Sequence, residues 1–79
     1  MSPKLPRVTG KEMIKFLETK GFSVIRIVGS HYRLRHPKGM YVTVPVHGKR
    51  ILGIGLTLRI LRDARISLDE YSEYFHRNK

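Results

Sequence analysis

The chain has no cysteine, so neither a disulfide staple nor a thiolate zinc site is open to it, and it suits a reducing cytoplasm. Its 79 residues are expected to form a single domain over 1–79, and a domain of this size buries only about 60% of the surface its unfolded chain exposes. Without staples, the core has to be purely hydrophobic. Long apolar runs are also missing. The longest, over 51–58, is broken by Gly53, Gly55 and Thr57 and falls far short of the roughly 20 residues of a membrane span. The first six residues lack the apolar stretch of a secretory signal, so no membrane partner is expected. Carboxylates are scarce as well: Glu12, Glu18, Asp63, Asp69, Glu70 and Glu73 are all there are, and the stretch 19–62 has none. A two-metal nuclease needs acidic ligands. His31 and His36 fall on opposite faces of one predicted strand and His47 lies beyond the next, with no paired i, i+4 spacing, which speaks against zinc. Nucleophilic triads lack both a carboxylate near His31 in sequence and a thiol. No metal, cofactor or small-molecule ligand is therefore expected.

Positive charge is abundant. Sixteen Lys and Arg against six Asp and Glu leave a formal charge of +10, and nine of those cations fall within 19–62. A polyanion is the natural partner. Nucleic acid fits better than a membrane surface, because the charges are spread over predicted strands and turns and not gathered on one amphipathic helix. The plainer alternative, a basic surface kept for solubility, carries self-repulsion with no binding role to offset it.

Residues 1–7, with two prolines and two basic residues, read as a loose leader. Thr9 and Glu12 have capping-box spacing, and Val8 and Met13 the spacing of a hydrophobic staple, so a helix is predicted over 10–20 with Met13, Ile14, Phe16 and Leu17 as its apolar side and Gly21 as its stop. Three β-favouring runs follow, 22–28, 31–36 and 40–46, separated by Gly29-Ser30 and by Pro37-Lys38-Gly39. They form an antiparallel meander. Period two puts His31, Arg33 and Arg35 on one face of the second strand, towards solvent, and Tyr32, Leu34 and His36 on the other. A basic, glycine-rich connection over 48–55 leads to a helix over 56–64 with Leu56, Ile60, Leu61 and Ala64 as its stripe. Ser67 and Glu70 repeat the capping-box spacing and start a short last helix presenting Leu68, Tyr71 and Phe75. The fold class is α+β, αβββα plus a short C-terminal helix. Helices covering one face of a three-stranded sheet leave the other open, the general plan of a double-stranded-RNA-binding domain.

RNA cleavage escapes the restrictions above, because the substrate supplies its own nucleophile, the ribose 2′-hydroxyl. One base and some cations suffice. Histidine, with an unperturbed pKa of about 6.5, is suited to proton transfer near neutrality, and neighbouring cations stabilise the charge that develops on phosphorus-bound oxygens.

Gly29-Ser30-His31, then Val42-Thr43-Val44-Pro45 with His47 close behind, then Gly55, Ile60-Leu61, Ala64, Ile66-Ser67 and Glu70-Tyr71 together resemble the HicA family of toxin ribonucleases. The likeness covers about 5–74. It implies a small mRNA-cleaving toxin (an mRNA interferase) with a fold like that of double-stranded-RNA-binding domains, with the histidine of Gly-Ser-His, here His31, as catalytic residue, and with a cognate HicB-type antitoxin that masks the basic face. Two departures stand out. The family commonly opens its last long helix with Gly-Thr-Leu where this chain has Gly55-Leu56-Thr57, and often has glycine where Arg65 stands.

Other residues admit two readings each. Gly29 either permits a bend or brings its backbone against a phosphate, and Ser30 either bonds the turn or joins the RNA site. Arg33, Arg35, Lys49 and Arg50 are candidate phosphate contacts or solvated charges. His47 caps the third strand, while His36 and His76 are surface residues. Tyr41 is a candidate for base stacking, whereas Tyr32 shares Leu34's face and belongs to the core. A non-catalytic RNA-binding module would need the same basic sheet but has no use for an imidazole at its centre. A structural protein of ribosomal RNA would carry longer basic tails.

Overall fold

The structure, a computed structural model, describes residues 5–77. Its elements are α1 (Gly10–Thr19), β1 (Ser23–Val28), β2 (His31–Arg35), β3 (Tyr41–Pro45), α2 (Ile54–Ala64) and α3 (Leu68–Arg77). The strands form one antiparallel sheet in the order β1-β2-β3, so the α+β meander with helices on one face is the architecture observed. Among the described residues no helix is long and apolar enough to cross a membrane.

Local chemistry explains the helix boundaries. At α1 the Thr9 hydroxyl accepts from the Glu12 backbone N–H (3.2 Å) while the Glu12 carboxylate accepts from the Thr9 N–H (2.8 Å), the reciprocal capping box that satisfies two orphan donors. Val8 and Met13 are both buried in the same core. Gly10 is needed for space, since a Cβ there would lie 2.2 Å from the Pro45 carbonyl oxygen. The first turn of α1 thus abuts the end of β3 directly. At its other end, Gly21 N–H bonds the Glu18 carbonyl and Phe22 N–H the Leu17 carbonyl, the paired bonds of a Schellman stop.

The same stop closes α2, with Arg65 N–H on the Arg62 carbonyl and Ile66 N–H on that of Leu61. Here the left-handed position is Arg65, at φ 58° and ψ 40°. A non-glycine residue in that region costs about 1–2 kcal/mol, whereas glycine's extra freedom in the unfolded chain returns about 0.4–1 kcal/mol of this. Arg65 is exposed. Arg65→Gly is therefore expected to raise the melting temperature by a few degrees, at about 4–8 °C per kcal/mol for a domain of this size. Thermal denaturation checks it, and an unchanged or lower midpoint would show that the Arg65 side chain supplies a compensating contact.

Boundaries differ from the sequence reading in two places. Helix α2 begins at Ile54 with Gly53 as N-cap, earlier than the stripe suggested, because Thr57 turns inward. It is fully buried, and its hydroxyl donates to the Gly53 carbonyl at 2.9 Å. Helix α3 is longer than a turn or two, at ten residues, with a Ser67–Glu70 capping box. Lys20 donates to the Glu70 carboxylate at 3.1 Å, and that hydrogen bond, with the Ser67 backbone N–H, holds the Glu70 carboxyl below its usual range. Of the expected α3 stripe, Tyr71 is fully buried and Phe75 packs on the core, but Leu68 remains exposed. The aromatic contact of α1 with α3 lies at Tyr71 and beyond: Phe16 is 5.6, 5.0 and 5.6 Å from the Tyr71, Tyr74 and Phe75 rings. Burial pushes the Tyr71 phenol up to about 12, and its hydroxyl donates to the Pro6 carbonyl.

Of the expected loose leader, residues 1–4 lie outside the described residues. Leu5 packs against the core, and Pro6 is tied down by the Tyr71 bond. His36 is half-buried, its ring edge-on to Phe22 at 5.1 Å and its Nδ1 accepting from the Lys38 N–H at 3.0 Å. It is a structural residue of the β2–β3 turn, because it lies on the same face as Leu34, where the sheet meets the core. The core itself joins Met13, Phe16 and Leu17 of α1 with Leu34, Val42 and Val44 of the sheet, Ile60, Leu61 and Ala64 of α2, and Tyr71.

Candidate nucleic-acid interface

The open face of the sheet is assembled by the register. His31 stands opposite Pro45 and Val28, Arg33 opposite Thr43 and Arg26, and Arg35 opposite Tyr41. Cross-strand partners point to the same side of a sheet, so these side chains share the face away from the helices. A bulge between Val24 and Arg26 completes the set. Without the extra residue, strict alternation from the Ser23–Arg35 pair would aim Ile25 and Ile27 at this face; the bulge shifts the pattern by one and delivers Arg26 and Val28 instead.

The β1–β2 hairpin sets the position of His31. Val28 and His31 are paired, leaving Gly29 and Ser30 as a two-residue loop whose only positive φ is at Gly29, +59°. That is the requirement of a II′ turn, which puts glycine first. No atom lies within 4 Å of the place a Gly29 Cβ would take, so its role here is the turn. Ser30 ties the loop to β3: its carbonyl accepts from the Val46 N–H at 2.7 Å, and its hydroxyl lies 3.4 Å from His47 Nε2. His47 therefore braces the exit of β3 against the hairpin. The imidazole of His31, first residue of β2, is exposed and has no hydrogen-bond or ion-pair partner among the described residues.

Two concavities meet at this histidine. One, of about 390 Å³, runs between the β2–β3 surface and α2, with Tyr41, Leu56, Arg59 and Asp63 on its walls. The other, of about 430 Å³, opens towards β1 over Arg26 and Val28. His31, Arg33 and Thr43 line both. Arg33 and Arg35 also flank the Tyr41 ring, their guanidinium carbons 5.1 and 5.9 Å from its centroid, and Arg35 Nε donates to the Tyr41 hydroxyl at 3.2 Å. Tyr41 is thus held as a half-exposed platform between cations.

Of the residues singled out in the sequence, the structure brings His31 and Arg33 into one site, seats Gly29 and Ser30 beside them, and links Arg35 through Tyr41. Arg50 lines a third depression that continues past Pro45 and Leu56; Lys49 lines none of the three. Sequence reading missed Arg26, Thr43, Arg59 and Asp63. Thr43 was legible from the alternation of Val42-Thr43-Val44, whereas the other three reach the site only through the bulge and the packing of α2. Among the described residues, no three His, Asp or Glu side chains are grouped as a metal site requires.

The chain is thus a small, strongly basic α+β domain with its helices on one side of a three-stranded sheet and an exposed histidine among arginines on the other. The chain belongs to the HicA toxin family: the family model described as HicA toxin of bacterial toxin-antitoxin matches residues 10–66, from the first residue of α1 through the stop of α2. A search of curated proteins finds no match.

Proposed function

We propose that this toxin is an endoribonuclease that cleaves single-stranded mRNA without a metal, with His31 as its base. The observation that carries the reading is the position of His31, partnerless and exposed where two concavities meet, with Arg33 and Thr43 common to both. An RNA strand laid from one concavity to the other would bring a phosphodiester to this junction. His31 takes the proton of the adjacent 2′-hydroxyl; the 2′-oxygen then bonds to phosphorus, the bond from phosphorus to the 5′-oxygen breaks, and the leaving oxygen gains a proton from solvent. The products are a 2′,3′-cyclic phosphate and a 5′-hydroxyl. Arg33 and the Thr43 hydroxyl stabilise the charge that builds on the non-bridging oxygens, while Gly29 and Ser30 set the hairpin and Arg26, Arg35 and Arg50 hold flanking phosphates. Lys49 is a more distant phosphate contact on the same strand path.

Purified protein is expected to cut RNA equally well with and without EDTA and to leave cyclic phosphate ends. Loss of all cutting in chelator, restored by a divalent ion, would sink the metal-free mechanism, and RNA binding with no cutting under any condition would favour a non-catalytic binding module.

The neutralising partner we propose is a HicB-type antitoxin with an acidic surface that covers His31. Opposite charge would steer it to the carboxylate-poor face, and the exposed Val28 beside His31 offers apolar area to bury. RNA and this partner are then expected to compete for the toxin, and simultaneous binding of both would refute direct masking.

A further inference from the structure

The groove between β3 and α2 contains a feature that phosphate binding does not explain. On a face otherwise built of cations, the Asp63 carboxylate lines the same concavity as His31, where it repels a phosphate. Nor does it serve the helix. Asp63 is the next-to-last residue of α2, where the macrodipole favours cations over anions. Its ion pairs with Arg59 (3.9 Å) and Arg62 (3.5 Å) join side chains that are well exposed, and such pairs contribute little.

We infer that this groove is a nucleobase pocket in which Asp63 reads the Watson–Crick edge of an unpaired guanine next to the cleaved phosphate. The inference takes its substrate from the ribonuclease reading above. The walls suit a flat aromatic ring: Pro45, Leu56 and Ile60 are apolar, and Tyr41 and Arg59 present planar groups for stacking. At about 390 Å³ the groove lies within the roughly 300–1,000 Å³ range of small-ligand sites. A carboxylate is an acceptor with two oxygens and no donor. Guanine alone among the four bases offers two adjacent donors, N1–H and the 2-amino group, on that edge. Adenine and cytosine pair one donor with an acceptor, and uracil sets one donor between two carbonyls. Because His31 lines the same groove, the base read is the neighbour of the scissile phosphate.

The test uses RNAs identical except for guanine, inosine (which lacks the 2-amino group) or adenine beside the cut. Cleavage is measured with the parent, Asp63→Ala and Asp63→Asn proteins. Affinity is measured with the same Asp63 substitutions in a His31→Ala background, so that binding is read without cutting. The parent is expected to prefer guanine over inosine by about 10-fold or more in kcat/KM, the worth of one hydrogen bond to a charged group. Asp63→Ala is expected to bring that ratio near one while leaving the melting temperature unchanged or higher, and Asp63→Asn, with one donor and one acceptor, to move the preference towards adenine. An unchanged ratio in Asp63→Ala, or an equal loss of affinity for all three RNAs, would overturn the inference, the latter meaning that Asp63 only orients Arg59. If no RNA is cut but binding still favours guanine through Asp63, the pocket stands and the ribonuclease reading falls.

Discussion

His31→Ala is expected to lower RNA cleavage by about 10²- to 10⁴-fold, the usual worth of a positioned general base, with fold and RNA affinity nearly unchanged. The side chain is exposed and has no partner among the described residues, so truncating it opens no cavity, and a surface change of this kind stays within about 0.5 kcal/mol of the parent stability. Affinity rests on several arginines. Losing one ring from their midst changes the count of phosphate contacts by none. Among the described residues no carboxylate or second histidine is hydrogen-bonded to this position; His47 is engaged with Ser30, and Asp63 of the same groove is paired with Arg59 and Arg62. Thermal denaturation, RNA titration and a cleavage time course on one preparation separate the possibilities. A folded variant that cuts at the parent rate would remove His31 from the mechanism, and a melting temperature that collapses along with activity would make it structural.

RNA affinity is expected to fall by about 50- to 100-fold between 50 and 200 mM salt. Arg26, Arg33, Arg35, Arg50 and Arg59 border the open face and its grooves. Neutralising four or five phosphates of a single strand gives a slope of log affinity on log salt of about −3, from roughly −0.7 for each phosphate. The effect is large because the face is nearly free of carboxylates, so little of its cationic field is cancelled before RNA arrives. Titrations at four or more salt concentrations give the slope directly. Arg33→Ala is expected to reduce it by about 0.7. A flat response would mean that stacking and apolar contact, not phosphate, hold the strand.

Local chemistry was legible in the sequence wherever a signal and its response lie within a few residues. The capping boxes at Thr9–Glu12 and Ser67–Glu70, the hairpin at Gly29-Ser30, and the outward placement of His31, Arg33 and Arg35 all follow from spacing, because capping bonds span three residues and a strand alternates with period two. The net charge and the carboxylate-free middle are likewise read directly from the sequence. What tertiary structure decided depends on contacts between distant segments. Residues 25–28 alternate in the same way with or without a bulge, and only pairing with β2 swings Arg26 and Val28 onto the open face. His36 reads as a surface residue from spacing alone, but the Phe22 ring and the Lys38 N–H lie against it. Asp63 lies 32 positions from His31 along the chain, and α2 brings it to the same groove because Ile60, Leu61 and Ala64 must be buried against the sheet, which leaves the adjoining side of the helix facing the histidine. Spacing determined the capped helix starts and the alternation of the strands, and core packing determined where α2 begins and which exposed side chains share a site.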